Sequence, residues 1–239
     1  MKRFWDQASV EATPEGHAVM LDRRPVHLPG GAVLYVGPAR LARAVAAEWE
    51  RAGGAKGGEM TFADTPLTCL AGTAQERIAP DPWPTIDAIA RYGETDLLCY
   101  RAEAPDKLHE HQAEAWRPWL DWAAHAYDAP LRVTSGIAPI KQHHGSIAAL
   151  RRAVAAFDPY GLAGLGLAVP ALGSLVLGLA LAEGRLDADR AFALGAFEEL
   201  FQAEIWGEDA EAAARRAHIA ADVALAGRFM TLAREEVDR

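Results

Sequence analysis

Residues 53–60 read GGAKGGEM, and the chain changes character across them. Glycine gives up more conformational freedom on folding than any other residue, so a run this rich in it reads as a linker. On its amino side the pattern is short and β-like. ASVEATPEGHAVMLD, residues 8–22, sets Val10 and Ala12 opposite Val19 and Leu21 around a turn at Pro14-Glu15-Gly16. RRPVHLPGGAVLYVG, residues 23–37, adds two more short strands, with Pro25 and Pro29 suited to edges because proline donates no ladder hydrogen bond. A helix then begins at Pro38, places Leu41, Val45 and Trp49 on one face, and ends at Gly53-Gly54.

On the carboxyl side helix follows helix. One amphipathic stretch runs through Ile86, Ile89 and Leu97, and a second carries Leu108, Ala115, Trp116, Trp119 and Ala123, with Pro118 expected to bend it. A third buries Ile147, Leu150 and Val154 and stops at Asp158-Pro159. Two long helices are expected in the last 50 or so residues. The expected fold class is therefore α+β. A small β-rich domain with one helix covers residues 1–58, and a larger all-helical domain covers 59–239.

The chain has 239 residues, 24 Lys and Arg against 33 Asp and Glu, and a net charge of −9. A general nucleic-acid binder needs a basic face to displace counterions, so this balance argues against one and favours a partner with a basic patch. Cys69 and Cys99 are isolated and have no metal or redox spacing, which fits reduced thiols in a cytosol-like compartment. The amino terminus shows no secretory signal, and a bacterial cytoplasm is the expected location.

Residues 160–182, YGLAGLGLAVPALGSLVLGLALA, carry no charge over a span that could cross a bilayer. The glycines and proline of the first half, and the lack of a flanking basic cluster, favour a buried core helix that starts at about Pro170 and has Gly184 past its end instead. Before it GLAGLG, residues 161–166, fails the dinucleotide-binding pattern, because Val169 stands at the last glycine position; these read as loop glycines. Ser174 lacks the spacing of a nucleophile elbow and reads as a small residue at a helix contact. There is no P-loop, and no cofactor is expected.

His109, His111, His143 and His144 are the candidate metal ligands. His109 and His111, two apart on a helix, point to opposite sides and cannot share an ion, so surface or capping roles are expected. An enzyme using a carboxylate or a His-bound metal is the alternative function.

EELFQAEIWGEDAEAAARR, residues 198–216, holds six carboxylates, one Gln and one Trp. If residues 185–206 form one helix, Leu194, Phe197, Phe201 and Ile205 make its apolar stripe, while Glu199, Gln202 and Trp206 lie on another side. Gly207 would end that helix, and Glu208, Asp209 and Glu211 would favour the amino terminus of the next, with Glu211 and Arg215 pairing one turn apart. A helical corner explains the acids. It does not explain a tryptophan on the polar side, which must cover a second internal surface or await a partner.

Five blocks of the sequence, in order, resemble one family. They are KRFW with VMLDRRPVHLPGG and LARAVAAEWE near the start; PLTCLAGTAQERI; RYGETDLLCYRAEAPDKLHEHQAEAWRPWLDWA; GSLVLGLALAEG; and EELFQAEIWGEDAEA. The family is that of the assembly chaperone of the F-type ATP synthase catalytic head, mitochondrial and α-proteobacterial. Departures are local: Gly72 stands where Asn is usual, Arg117 where Asp is usual, and Glu76 near a usual Asp. The resemblance implies a small β-containing domain before a larger helical one, and no catalysis. It implies binding to the free ATP synthase α subunit, shielding a surface later covered by the β subunit. The expected partner-binding residues are Glu199, Gln202, Trp206, Glu208, Asp209 and Glu211. A monomer without stable membrane insertion is expected, although the sequence does not separate it from a weak dimer.

Overall fold

A computed structural model describes residues 1–234. The contacts divide the chain into two compact units. The first takes Met1–Pro82, Pro159–Ala163 and the described residues from Arg228; the second takes Trp83–Asp158 and Gly164–Gly227. The division thus falls at Pro82–Trp83 and not at the glycine run, because residues 59–82 supply a helix that packs with the amino-terminal elements. The last residues of the expected 59–239 domain lie outside the described residues.

In the first unit, β1 (Ala8–Thr13) and β2 (Gly16–Leu21) form an antiparallel hairpin in which Val10 faces Val19. Ala12 faces His17, and Leu21 faces Ala8. The register follows from the turn: Gly16 has φ +134°, a conformation that side chains rarely adopt. Both β3 (Arg24–Pro25) and β4 (Tyr35–Val36) pair with β2, leaving β1 joined to the sheet on one side. Helix α1 (Ala39–Arg51) buries Leu41, Ala42, Val45, Ala46 and Trp49 against the strands.

Polar groups finish this unit. Glu48 is buried on α1, and its carboxylate accepts from Leu67 N (2.7 Å), Thr68 N (3.1 Å) and Thr68 Oγ1 (3.3 Å), which caps α2 (Pro66–Thr73). The same threonine hydroxyl accepts from Trp49 Nε1 at 2.9 Å, and Trp5 Nε1 donates to Trp49 O at 3.1 Å. Arg3 is buried, and its guanidinium donates to the carbonyls of Trp5, Glu50, Ala52, Gly54 and Asp6 at 2.6–3.3 Å. The carbonyls at the end of α1 would otherwise be orphaned, and only a planar, multi-donor cation reaches so many at once.

The second unit is mostly helical. It holds α3 (Trp83–Ala90), α4 (Asp106–Tyr127), α5 (His144–Ala155), α7 (Leu175–Ala182), α8 (Ala188–Gly195), α9 (Phe197–Trp206), most of α6 (Pro159–Leu172) and most of α10 (Ala210–Ala233). It is not all helical: β5 (Tyr100–Arg101) and β6 (Thr134–Ser135) form a short parallel ladder. Two-residue strands are too short to show any alternation in the sequence. Helix α4 runs unbroken through Pro118 and buries Leu108, Gln112, Trp116 and Leu120, one every four residues. Ile147 on α5 is half-buried, and Ala149 takes its expected place beside Leu150 and Val154.

The uncharged run forms two helices. Pro170 lies inside α6 and starts nothing; the glycines of GLAGLG are helical, not loop glycines. The chain breaks at Gly173, with φ +63°, and Ser174 caps α7 by accepting from Leu177 N at 3.1 Å. Every residue of α7 is buried. Among the described residues no helix is long and apolar enough to cross a membrane.

Asp96, wholly buried, sits at that break. Its carboxylate accepts from Leu98 N and Val176 N, both at 3.0 Å, and from the Ser174 side chain. Leu97 N donates to Gly173 O at 3.0 Å alongside. Below it, Arg101 donates to Leu98 O and lies 4.9 Å over the Trp116 ring, whose Nε1 donates to Leu194 O at 3.0 Å.

Two stability predictions result. Arg3→Lys, which leaves most of the five carbonyls without a donor, lowers the unfolding free energy in urea by about 2–3 kcal/mol, and Arg3→Ala by at least as much. Burial pushes the Asp96 carboxyl up from 3.8 to about 6 against the pull of its donors. The folded state then holds this proton more tightly than the unfolded one. Its contribution is fully present below 3.8 and is lost as pH rises through about 6. The stability advantage of wild type over Asp96→Asn should shrink across that window in parallel urea titrations; a pH-independent difference would contradict the titration.

Candidate functional site: the α9–α10 corner

Residues 185–206 do not form one helix. Asp187 caps α8 by accepting from Arg190 N at 2.7 Å, and α8 ends at Gly195. A Cβ at Gly195 would sit 3.1 Å from Leu172 Cδ2 and 3.2 Å from Leu172 O, so glycine permits the close approach to α6 at which the chain turns. Ala196 leaves helical geometry, and α9 starts afresh at Phe197.

This break splits the expected apolar stripe. Leu194 is buried on α8. Phe197 and Phe201 are half-buried, meeting Trp116 and His111 of α4 edge-on at ring separations of 6.0 and 6.1 Å. Ile205 does not join the core and is 52% exposed. Helix α9 buries no residue at all; Leu200 is 38% exposed and Trp206 is 74% exposed. The alternative of a second internal surface for Trp206 is thus removed.

Gly207, with φ +89°, ends α9 and turns the chain into α10, which Asp209 caps by accepting from Ala212 N at 2.8 Å. The pairing of Glu211 with Arg215 does not form. Arg215 reaches across the corner to Glu199 at 3.1 Å, and Arg216, 8% exposed at its side chain, contacts Glu208 at 2.7 Å and Glu199 at 3.9 Å. Arg215 takes the carboxylate across the corner in place of the one-turn pair, and the nearly buried Arg216 has its charge answered by Glu208 and Glu199. Gln202 donates to Glu198 Oε1 at 3.1 Å.

The six expected residues are therefore brought together but not equivalent. Glu199 and Glu208 bind the two arginines, Asp209 caps a helix, and Gln202 is spent within its own helix. Trp206 and Glu211 are exposed. Sequence reasoning missed Arg215 and Arg216 as clamps, and it missed the exposure of Leu200 and Ile205 on the same helix as Trp206. Two adjacent arginines after an acidic cluster were the available signal for the clamp; the exposure of Ile205 had none.

Two of the candidate metal ligands are engaged by backbone groups. His109 Nδ1 lies 2.9 Å from Ala102 O, and His143 caps α5 by accepting from Gly145 N at 3.2 Å. Among the described residues no three His, Cys, Asp or Glu side chains are grouped to hold a metal ion.

Residues 2–124 match the family model of the ATP12 chaperone protein. The chain belongs to the ATP12 chaperone family. Its fold agrees over nearly its whole length with the crystal structure of Atp12 from Paracoccus denitrificans, at 42% identity, 98% coverage of both chains and a TM-score of 0.91. The Atu1473 protein from Agrobacterium tumefaciens matches at 32% identity with the same TM-score of 0.91, covering 98% of this chain and 86% of that one. The mitochondrial protein atp12 of Schizosaccharomyces pombe is 25% identical over 87% of this chain and 75% of its own. Membership makes the chain a chaperone of ATP synthase assembly, and the α+β class holds.

In this member of the ATP12 family the clamp ties α9 to α10. Arg216→Ala leaves Glu208 and Glu199 without their nearly buried cation, and should speed amide hydrogen exchange in α9 and the first turn of α10 at least tenfold. Exchange in α1 should be unchanged in the same experiment.

Proposed function

We propose that this chaperone binds the free α subunit of the ATP synthase catalytic head and shields the surface that the β subunit later covers. The single observation that carries the reading is Trp206, 74% exposed on a helix with no buried residue and next in sequence to the exposed Ile205. Leaving a tryptophan in water forgoes about 2 kcal/mol or more of burial, a cost that a partner surface would recover. Such an aromatic, ringed by polar groups, has the character of an interface anchor. Glu211, together with the carboxylates of Glu208 and Asp209 beyond their internal bonds, would steer a basic face of the client and set its orientation. Glu199 and Gln202 would act by positioning α9.

Function follows from binding, not from chemistry. By mass action a stoichiometric holdase lowers the free concentration of an aggregation-prone subunit, and release needs only a competitor for the same face. The setting is the bacterial cytoplasm, with the mitochondrial matrix its counterpart for eukaryotic relatives. Cys69 and Cys99 are both free thiols, and burial pushes the Cys99 thiol up to about 12, which keeps it unreactive there.

The test is co-expression with the cognate α subunit in the absence of β. Soluble α should co-purify near one to one. Trp206→Ala should weaken that complex by about thirtyfold while changing the melting temperature little, since the side chain is exposed. A melting temperature that falls while binding persists would make Trp206 a structural residue and overturn the assignment.

A further inference from the structure

The first unit carries a second candidate surface, built from backbone as much as from side chains. Strand β1 pairs with β2 alone among the described residues, so its other edge is free of sheet partners. That edge forms one wall of a groove of about 400 Å³; the other wall is α1. Its lining includes Ala8, Ser9 and Val10 in succession. Side chains alternate across a strand, so three consecutive residues line a groove only where the strand edge, not one face, borders it.

The hydrogen bonding fixes which backbone groups point there. Gln7 O accepts from Asp22 N at 2.8 Å, towards β2, whereas Ala8 N points the other way and donates to Glu50 Oε2 at 2.6 Å. The alternation of an antiparallel pair then sends the N–H and C=O of Val10 and Ala12 outward as well. Glu50 already answers the Ala8 donor, standing where the carbonyl of an added strand would. From Val10 onward the edge is open.

Charge selects the occupant. Arg43 and Arg51 line the groove, both exposed and without an ion-pair partner among the described residues, in a chain whose net charge is −9. The one carboxylate in the lining, Glu50, is engaged by Ala8 N and lies 3.7 Å from buried Arg3. Glu11 is on the opposite face of β1 from Val10. A second copy paired across this edge would bring like guanidinium groups together, and its own β1 offers a single carboxylate. We infer that this groove receives an extended, acidic segment of a partner protein, which adds as a strand to β1 and places carboxylates against Arg43 and Arg51. The inference does not rest on the α subunit being the client.

The test uses the full chain, labelled for amide spectra, and two short extended peptides of alternating Thr and Glu or alternating Thr and Lys. The acidic peptide should shift the Val10 and Ala12 amides and slow their exchange, and should bind at least tenfold more tightly than the basic one. Val10→Pro removes an outward N–H while sparing the β2 ladder, and should abolish this binding. Should that variant unfold, Arg43→Glu with Arg51→Glu serves instead and should reverse the peptide preference. No binding of the acidic peptide at millimolar concentration, equal binding of both, or shifts confined to other residues would each overturn the proposal. So would a concentration-dependent dimer that Val10→Pro disperses, which would give the edge to a second copy.

Discussion

A carboxylate shut away from water joins two distant parts of the larger unit. Asp96 accepts N–H donors from its own turn and from the first turn of α7, eighty residues later in the chain. Helix α7 has eight residues, too few to persist alone, and it is apolar on every face. Its free N–H groups lie in the interior, where an unanswered donor costs as much as a lost hydrogen bond. Asp96 and Ser174 supply the missing acceptors, so the most buried helix of the unit can begin where it does. The neighbours of Asp96 extend the same logic, from Arg101 over Trp116 to the Leu194 carbonyl on α8.

The first unit repeats this solution with ions of both signs and different elements. Arg3 answers the carbonyls at the end of α1, and Glu48 answers the N–H groups at the start of α2. In both units a buried ion works at a helix terminus. Ion and terminus must be buried together, which makes these residues intolerant of substitution without making them functional. The corner of α9 and α10 inverts the arrangement. There the acids are numerous and exposed, one nearly buried arginine gathers two of them, and the largest apolar side chain faces solvent. Burial of charge marks scaffold in this protein, whereas the α9–α10 corner leaves its tryptophan in water.

Much of this was legible in the chain. The hairpin follows from Pro14-Glu15-Gly16 and the alternation on either side, and α1 from the spacing of Leu41, Val45 and Trp49. The five family blocks named the right family, and they include most of the buried ions described above: Arg3, Glu48, Asp96 and Arg101. Other features were misread for identifiable reasons. Pro170 resembled a helix start because proline is favoured there, yet it is also tolerated near the end of α6, whose next turn is already broken by Gly173. The apolar stripe through Ile205 assumed an unbroken helix, and the contact between Gly195 and Leu172 that breaks it joins residues far apart in sequence.

The sequence alone determined the local elements, the acidic balance and the family, because periodicity, turn chemistry and motif order are properties of neighbours along the chain. Tertiary structure decided which of those neighbours work inward. It assigned Glu199 and Glu208 to Arg215 and Arg216 and left Trp206 in water. It also decided that the edge of β1 stays unpaired beside Arg43 and Arg51. The reason is geometric: a charge is answered, and an apolar surface covered, only by groups that folding brings within a few ångströms, and one-dimensional spacing does not encode those distances.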